Sequence, residues 1–233
     1  MFALPAFRMA PLGWLVLSVA LHLAGSHLYE LLLRASRRSA AARLLVEPLS
    51  RRLAEFLYYV ILPYLALLRG DLLARPFGLS DLNWIQDIGV GLALTAGIIV
   101  ITVAVFRYAR RSPDQPAAER PIAPESLWRA GCCQMHWTFY RAGLTQITDN
   151  TYLGACVSLV IIALELALNP ALRRHLNDEA TAPAELVRLS LLATTTVFYI
   201  LVRNLPLLIL AHWLTEMAAR LVLEPRRVRP PDA

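Results

Sequence analysis

The chain has 233 residues, of which 57% are hydrophobic and 17% are charged, and its mean hydropathy is +0.50. A soluble domain of this length carries about 25% charged residues and lacks long apolar runs, so the composition excludes an ordinary soluble globular protein. The net charge is +6, and every basic residue is an arginine. Because the arginines cluster between apolar runs, we interpret them as charges at lipid headgroups, with membrane lipid and not nucleic acid as the partner.

Apolar runs of about twenty residues recur along the chain and are long enough to cross a membrane as helices. The first resembles a signal peptide, but its apolar stretch is too long and no cleavage site follows it. Six runs are clear, at 11–33, 53–69, 84–106, 151–168, 186–202 and 205–223. We predict one structural domain with three N-terminal membrane helices in 1–112, a proline-rich polar linker at 113–125, and a four-helix core with a basic tail in 126–233.

The stretch CQMHWTFYRAG (133–143) decides the number of crossings, because it is polar but adjoins apolar sequence. The arginine-rich loop after the first run is expected in the cytoplasm. If 127–143 stays there too, the arginines at 173–174 and in the tail 226–229 fall outside. If 127–143 crosses, every loop obeys the positive-inside rule. The sequence therefore predicts an all-α polytopic membrane helix bundle with about seven transmembrane helices, its N-terminus outside and its C-terminus in the cytoplasm, in the bacterial inner membrane.

Ionisable side chains inside a membrane are costly and are functional-site hypotheses by default. Five fall in the predicted helices of the back half: His136, Arg141, Glu165, His212 and Glu216. At about 1.5 Å per residue, the two histidines and two glutamates lie within about one helix diameter of a common depth. Imidazoles and carboxylates are ligands for a divalent metal such as zinc. We therefore predict His136, Glu165 and His212 as metal ligands, although each can instead simply join helices by hydrogen bonds.

Three smaller features complete the sequence-based expectations. His22 lies in the middle of the first helix and can pair with His136 or His212 around a haem, although no other haem signal accompanies it. Asn150, with Asp149, is a plausible cap for the helix that follows. The three cysteines, at 132, 133 and 156, lack a disulfide-compatible or metal-binding spacing, and we interpret them as small buried apolar residues.

The order of these features resembles the CPBP family, the CAAX proteases and bacteriocin-processing enzymes, which are intramembrane endopeptidases. That family carries E-E-x-x-x-R on one membrane helix, F-x-x-x-H on the next, and H-x-x-x-N or H-x-x-x-D on a later one. In HWTFYR, Arg141 takes the motif arginine, while His136 and Trp137 stand where the two glutamates are expected. In YLGACVSLVIIALELALNP, Glu165 stands where the histidine is expected. FYILVRNLPLLILAHWLTE is most similar: Asn204 and Leu205 lie in the turn, His212 is the motif histidine, and Glu216 replaces Asn or Asp.

The resemblance covers 124–223 and implies a membrane-associated peptide or protein substrate. It makes His136 and Glu165 an exchanged version of the family's Glu/His pair. Glu165 would then activate water, His136 and His212 would hold a metal or the oxyanion, Glu216 would orient His212, and Arg141 would pair with a site carboxylate. The alternative is a catalytically inactive membrane scaffold or partner-binding protein of the same fold. A transporter or proton pathway is a third hypothesis, against which no inverted repeat is visible.

Overall fold

The computed structural model describes residues 10–109, 123–178 and 181–223, and these residues form helices joined by turns, without strands. The helices are α1 (Pro11–Ala35), α2 (Ala40–Val46), α3 (Pro48–Phe56), α4 (Leu62–Leu68), α5 (Trp84–Ala109), α6 (Ala123–Thr148), α7 (Thr151–Leu168), α8 (Pro170–Asn177), α9 (Ala182–Leu201) and α10 (Leu205–Leu223). A π-helical turn at Leu57–Ile61 joins α3 to α4, and we call this continuous helix, 48–68, the second pass.

Five of the described helices, α1, α5, α7, α9 and α10, are long and apolar enough to cross a membrane. Two further elements have the length of a crossing but a less uniform composition: the second pass and α6. Together they give seven consecutive passes among the described residues. The predicted all-α membrane helix bundle is confirmed. The proline-rich segment 110–122 and the tail 224–233 lie outside the described residues, and α6 begins at Ala123, inside the predicted linker.

Contacts between distant residues define the two ends of the bundle. At the end that we call the basic end, Arg52 donates to Glu125 at 3.2 Å and Arg174 donates to Glu30. These bonds bring the start of α6 to the second pass and α8 to the end of α1. At the opposite end, Leu205 N–H donates to the Gly78 carbonyl at 3.1 Å, so α10 begins beside the loop that precedes α5. The passes therefore alternate in direction.

Some observed helices begin at residues outside the predicted apolar runs. At these positions, a capping side chain or a proline in the first turn favours the start of a helix. The loop expected between the first two runs contains α2, whose N-cap Ser39 accepts from the Ala42 N–H. The second pass begins at Pro48, since proline is favoured in the first helical turn, where its missing N–H costs no helix bond. Asn169 caps α8 in the same way. Asn150 accepts from the Leu153 N–H at 3.0 Å, so the predicted cap of α7 is confirmed.

The π-helical turn of the second pass precedes Pro63. Proline cannot donate the helical hydrogen bond, and its ring clashes with the carbonyl four residues earlier. A local π turn is a common way to accommodate such a break, and it is often found at functional sites. Here the turn directs the adjacent Tyr58 and Tyr59 side chains towards α6, where both rings contact His136.

The polar helix α6 occupies the centre of the bundle. It packs against α1, the second pass, α7 and α10, and it hydrogen-bonds to α9. Every residue from 136 to 145 is buried, whereas the apolar helices around it expose large aliphatic side chains such as Ile85, Val100 and Leu221. In a membrane this arrangement places apolar surface against lipid and polar side chains inside, where other protein groups can satisfy them.

The helices α6 and α7 approach each other closely at Gly154. A Cβ at this position would lie 2.4 Å from the backbone nitrogen of Thr145, so a side chain requires the two helices to separate. We expect Gly154→Ala to lower the free energy of unfolding by about 1–3 kcal/mol, the usual cost of overpacking. Gly97→Ala is the matched control, because nothing lies within 4 Å of a Cβ there. Thermal unfolding of both variants in detergent tests this, and an equal effect of the two substitutions would contradict the packing.

Candidate functional site

The side chains of α6 form two separate polar clusters, because its polar residues lie on two faces. Positions 133, 136 and 140 follow an i, i+3, i+7 spacing and share one face. Positions 134, 141 and 145 share another. The first face meets α1, α7 and the second pass, and the second face meets α9 and α10.

The first cluster joins His22 of α1, His136 of α6 and Glu165 of α7. One potential metal-ligand atom from each residue lies within 4.8 Å of the other two. The His136 Nε2 atom is 3.1 Å from a Glu165 carboxylate oxygen, and the other oxygen accepts a hydrogen bond from the Tyr140 hydroxyl. The imidazoles of His22 and His136 are stacked, with ring centroids 6.3 Å apart. We call this group the His–Glu cluster.

Two buried imidazole nitrogens in the His–Glu cluster lack a hydrogen-bond partner among the described residues, His22 Nε2 and His136 Nδ1. When His136 donates its Nε2 proton to Glu165, its Nδ1 atom carries a lone pair. Two imidazoles and one carboxylate are the protein ligands of many catalytic zinc sites.

A small cavity of about 50 Å³ adjoins the His–Glu cluster. This volume has room for a metal ion or a few water molecules, and ligand pockets for a molecule of haem size are several times larger. The haem hypothesis for His22 therefore has no support in the shape of the site. The cavity is lined by His22, Tyr59, Cys133, His136, Trp137, Ile162, Glu165, Leu166, Asn169 and Arg188.

Aromatic rings pack around His136 on three sides. The rings of Tyr58 and Tyr59 each lie 5.1 Å from it, and the ring of Tyr140 lies 4.9 Å from it, measured between centroids. The Tyr58 hydroxyl also hydrogen-bonds to Ser18 of α1. These contacts hold the imidazole in one orientation and keep it within an apolar, aromatic environment.

The second cluster centres on Arg141, whose side chain is fully buried. Its guanidinium donates to the hydroxyls of Thr195 and Thr196 at 3.1 and 2.9 Å, to the Leu192 carbonyl, and to the Gln134 side-chain carbonyl. The rings of Trp137 and Tyr199 lie within 6 Å of the guanidinium carbon. No carboxylate of the described residues pairs with it, so the predicted partner of Arg141 is replaced by neutral acceptors.

His212 belongs to this second cluster and not to the His–Glu cluster. The Gln134 amide nitrogen donates to His212 Nδ1 at 2.7 Å, and a neutral ring that accepts there carries its proton on Nε2. The indole of Trp137 lies tilted against the His212 ring, with 5.3 Å between ring centroids, and Trp137 also lines the cavity. Trp137 therefore stands between His212 and the cavity. His22 takes the place in the three-residue group that the sequence assigned to His212.

The remaining predicted residue, Glu216, has a different partner from the one expected. It accepts a hydrogen bond from Arg220, one turn further along α10, and it makes no hydrogen bond to His212. The cysteines are unpaired, as predicted. Their expected burial holds for Cys132 alone, since Cys133 is partly exposed at the cavity and Cys156 is exposed on the outer surface of α7.

Comparison with family models, curated proteins and solved structures gives no significant match to this chain. The resemblance to the CPBP family therefore rests on the residues of this sequence.

The hydrogen bonds of Gln134 predict that it stabilises the bundle. In a Gln134→Leu variant, His212 Nδ1 loses its donor and Arg141 loses an acceptor, both in buried positions. We expect the free energy of unfolding to fall by about 1–3 kcal/mol, the cost of leaving such groups unsatisfied. Gln86→Leu, at an exposed position near the start of α5, should change it by less than about 0.5 kcal/mol. Denaturant titration in detergent compares the two variants. An unchanged free energy of unfolding in Gln134→Leu would contradict the assigned hydrogen-bond network.

Proposed function

We propose that this protein is a membrane-embedded hydrolase, an intramembrane endopeptidase, that holds a divalent metal such as zinc between His22, His136 and Glu165. The observation that carries the proposal is the approach of one potential ligand atom each from His22, His136 and Glu165 to within 4.8 Å of one another, at a cavity. The partial resemblance to the CPBP family supports the peptidase chemistry. The proposal differs from the sequence-based expectation in the third ligand, which is His22 in place of His212.

Each group of the His–Glu cluster has a role in amide hydrolysis. A bound divalent metal would supply Lewis acidity and favour the hydroxide form of water. Glu165 accepts the proton of the attacking water, whose oxygen adds to the substrate carbonyl carbon. The carbon–nitrogen bond breaks as Glu165 returns that proton to the leaving nitrogen. The Tyr140 hydroxyl donates its single proton to the Glu165 carboxylate. Once Glu165 has taken up the proton from water, that hydroxyl can donate instead to the oxygen on which negative charge develops.

We propose that the basic end faces the cytoplasm of a bacterial inner membrane, with the N-terminus outside and the C-terminus inside. The described arginines support this orientation through the positive-inside rule. At the basic end, arginines cap α1, the second pass and α8, and they include Arg37, Arg38, Arg43, Arg51, Arg52, Arg173 and Arg174. A membrane-associated peptide or protein substrate would then approach the cavity from the cytoplasmic half of the bilayer.

The metal assignment predicts which substitutions remove metal. We expect near-stoichiometric zinc in protein purified in detergent without chelator, and a loss of at least about tenfold in affinity in His22→Ala and Glu165→Gln, since each removes one of three ligands. His212→Gln is the matched control, because its ring lies behind Trp137, and its metal content should stay at the wild-type level. Elemental analysis of monodisperse protein measures this. A metal content that falls in His212→Gln but not in His22→Ala would contradict the assignment.

The proposed chemistry predicts that Glu165 is essential for turnover. A zinc-loaded protein in liposomes should release fragments from a pool of synthetic membrane-spanning peptides, detected by mass spectrometry. Glu165→Gln should reduce this release by at least about 10²-fold, because an amide cannot accept the proton and is a weaker metal ligand than a carboxylate. Glu216→Gln, which changes a carboxylate paired with Arg220, serves as the control and should retain cleavage. Cleavage undiminished in Glu165→Gln would remove Glu165 from the mechanism and favour the inactive scaffold.

A further inference from the structure

The cavity beside the His–Glu cluster extends towards the basic end of the bundle. Asn169, which lines it, follows Glu165 by one helical turn, or about 6 Å along the axis. Arg188 also lines it and lies near the start of α9, which begins at the basic end. A molecule that enters from this end therefore meets Asn169 and Arg188 before it reaches His136 and Glu165.

Arg188 has unused hydrogen-bonding capacity. Its contacts are long: one guanidinium nitrogen is 3.5 Å from Glu185, and another is 3.7 Å from the Cys133 sulfur. Glu185 is in turn shared with His175. A guanidinium carries five N–H donors in a planar fork that matches a carboxylate, and these two contacts leave most of them available. The side chain as a whole is one-third exposed.

We propose that Arg188 is a specificity residue that binds a carboxylate of the substrate next to the bond to be cleaved. The inference rests on the proposed function and adds a substrate class to it. A single guanidinium beside a cavity of about 50 Å³ suits one planar anion, and a bidentate pair fixes both its position and its orientation. The carboxylate can belong to an acidic side chain or to a free C-terminus.

Cys133 provides a direct report on this subsite, because its sulfur contacts Arg188 and lines the same cavity. In a Cys132→Ala, Cys156→Ser background it is the only thiol. An anionic methanethiosulfonate reagent, which carries a sulfonate, should label Cys133 at least about tenfold faster than its cationic trimethylammonium counterpart, because Arg188 concentrates anions locally. Arg188→Gln should abolish this preference, while Arg52→Gln, at an exposed site on the basic end, should retain it.

Protection of the same thiol identifies the source of the carboxylate. A short peptide with a free C-terminus, its amidated form, and an amidated form with an aspartate side chain are each added before the anionic reagent. We expect at least one carboxylate-bearing peptide to slow labelling in an Arg188-dependent manner, and the peptide that does so reveals which carboxylate binds. The amidated neutral peptide should not protect.

Three results would overturn the carboxylate subsite: equal labelling by the two reagents, no labelling by either, or equal protection by the neutral peptide. None of these readouts requires bound metal or turnover. Failure of the subsite is therefore distinguishable from failure of the hydrolase proposal, which the metal content and the Glu165→Gln comparison test separately.

Discussion

The packing of the bundle depends on how it accommodates the buried guanidinium of Arg141. A cation removed from water is costly unless polar groups surround it, and here the surrounding groups are hydroxyls, carbonyls and aromatic faces. These acceptors come from α9 and from α6 itself, while Gln134 extends the network to α10. The requirement fixes the rotation of α6 about its axis. Once the Gln134 and Arg141 face meets α9 and α10, His136 is directed towards α1, α7 and the second pass.

This rotation explains why the two histidines of similar depth do not share a site. His136 and His212 lie on different sides of Trp137, whose indole contacts the His212 ring and closes the cavity on that side. The large indole of Trp137 separates the groups that the sequence-based expectation placed together. The proposed site is completed from another direction, by His22 on α1. Because α1 lies outside the region 124–223 that resembles the family, the back half alone cannot assemble the cluster.

Much of the bundle and part of the site could be predicted from the sequence. Apolar runs located the membrane helices, and the charge rule assigned a crossing to 127–143, which became the central helix. Depth along the membrane suggested that His136 and Glu165 are neighbours, and they are hydrogen-bonded. Two residues at the same depth are in contact only if their helices are neighbours and are rotated towards each other, however. Both conditions depend on packing that a single sequence does not reveal. The same depth estimate, about 16 Å from the start of α1, puts His22 near the level of His136, and the sequence analysis paired the two only around a haem. Nothing in the sequence indicated that α1 contacts α6.

The residues that the sequence did not indicate act through local geometry. Tyr58 and Tyr59 reach His136 because the π turn before Pro63 alters the helical spacing, which a regular periodicity does not anticipate. The side chain of Arg188 is one-third exposed and lies in the first half of α9. An arginine near a helix end ordinarily extends to the lipid headgroups. The position of Arg188 in the cavity lining is what indicates a different role. The same cavity gives the His–Glu cluster a route to the basic end. A buried polar group without such a route can join helices, whereas one at the inner end of an accessible cavity can meet water and a substrate. The accessibility of the His–Glu cluster therefore distinguishes it from the Arg141 network, although both lie on the same helix.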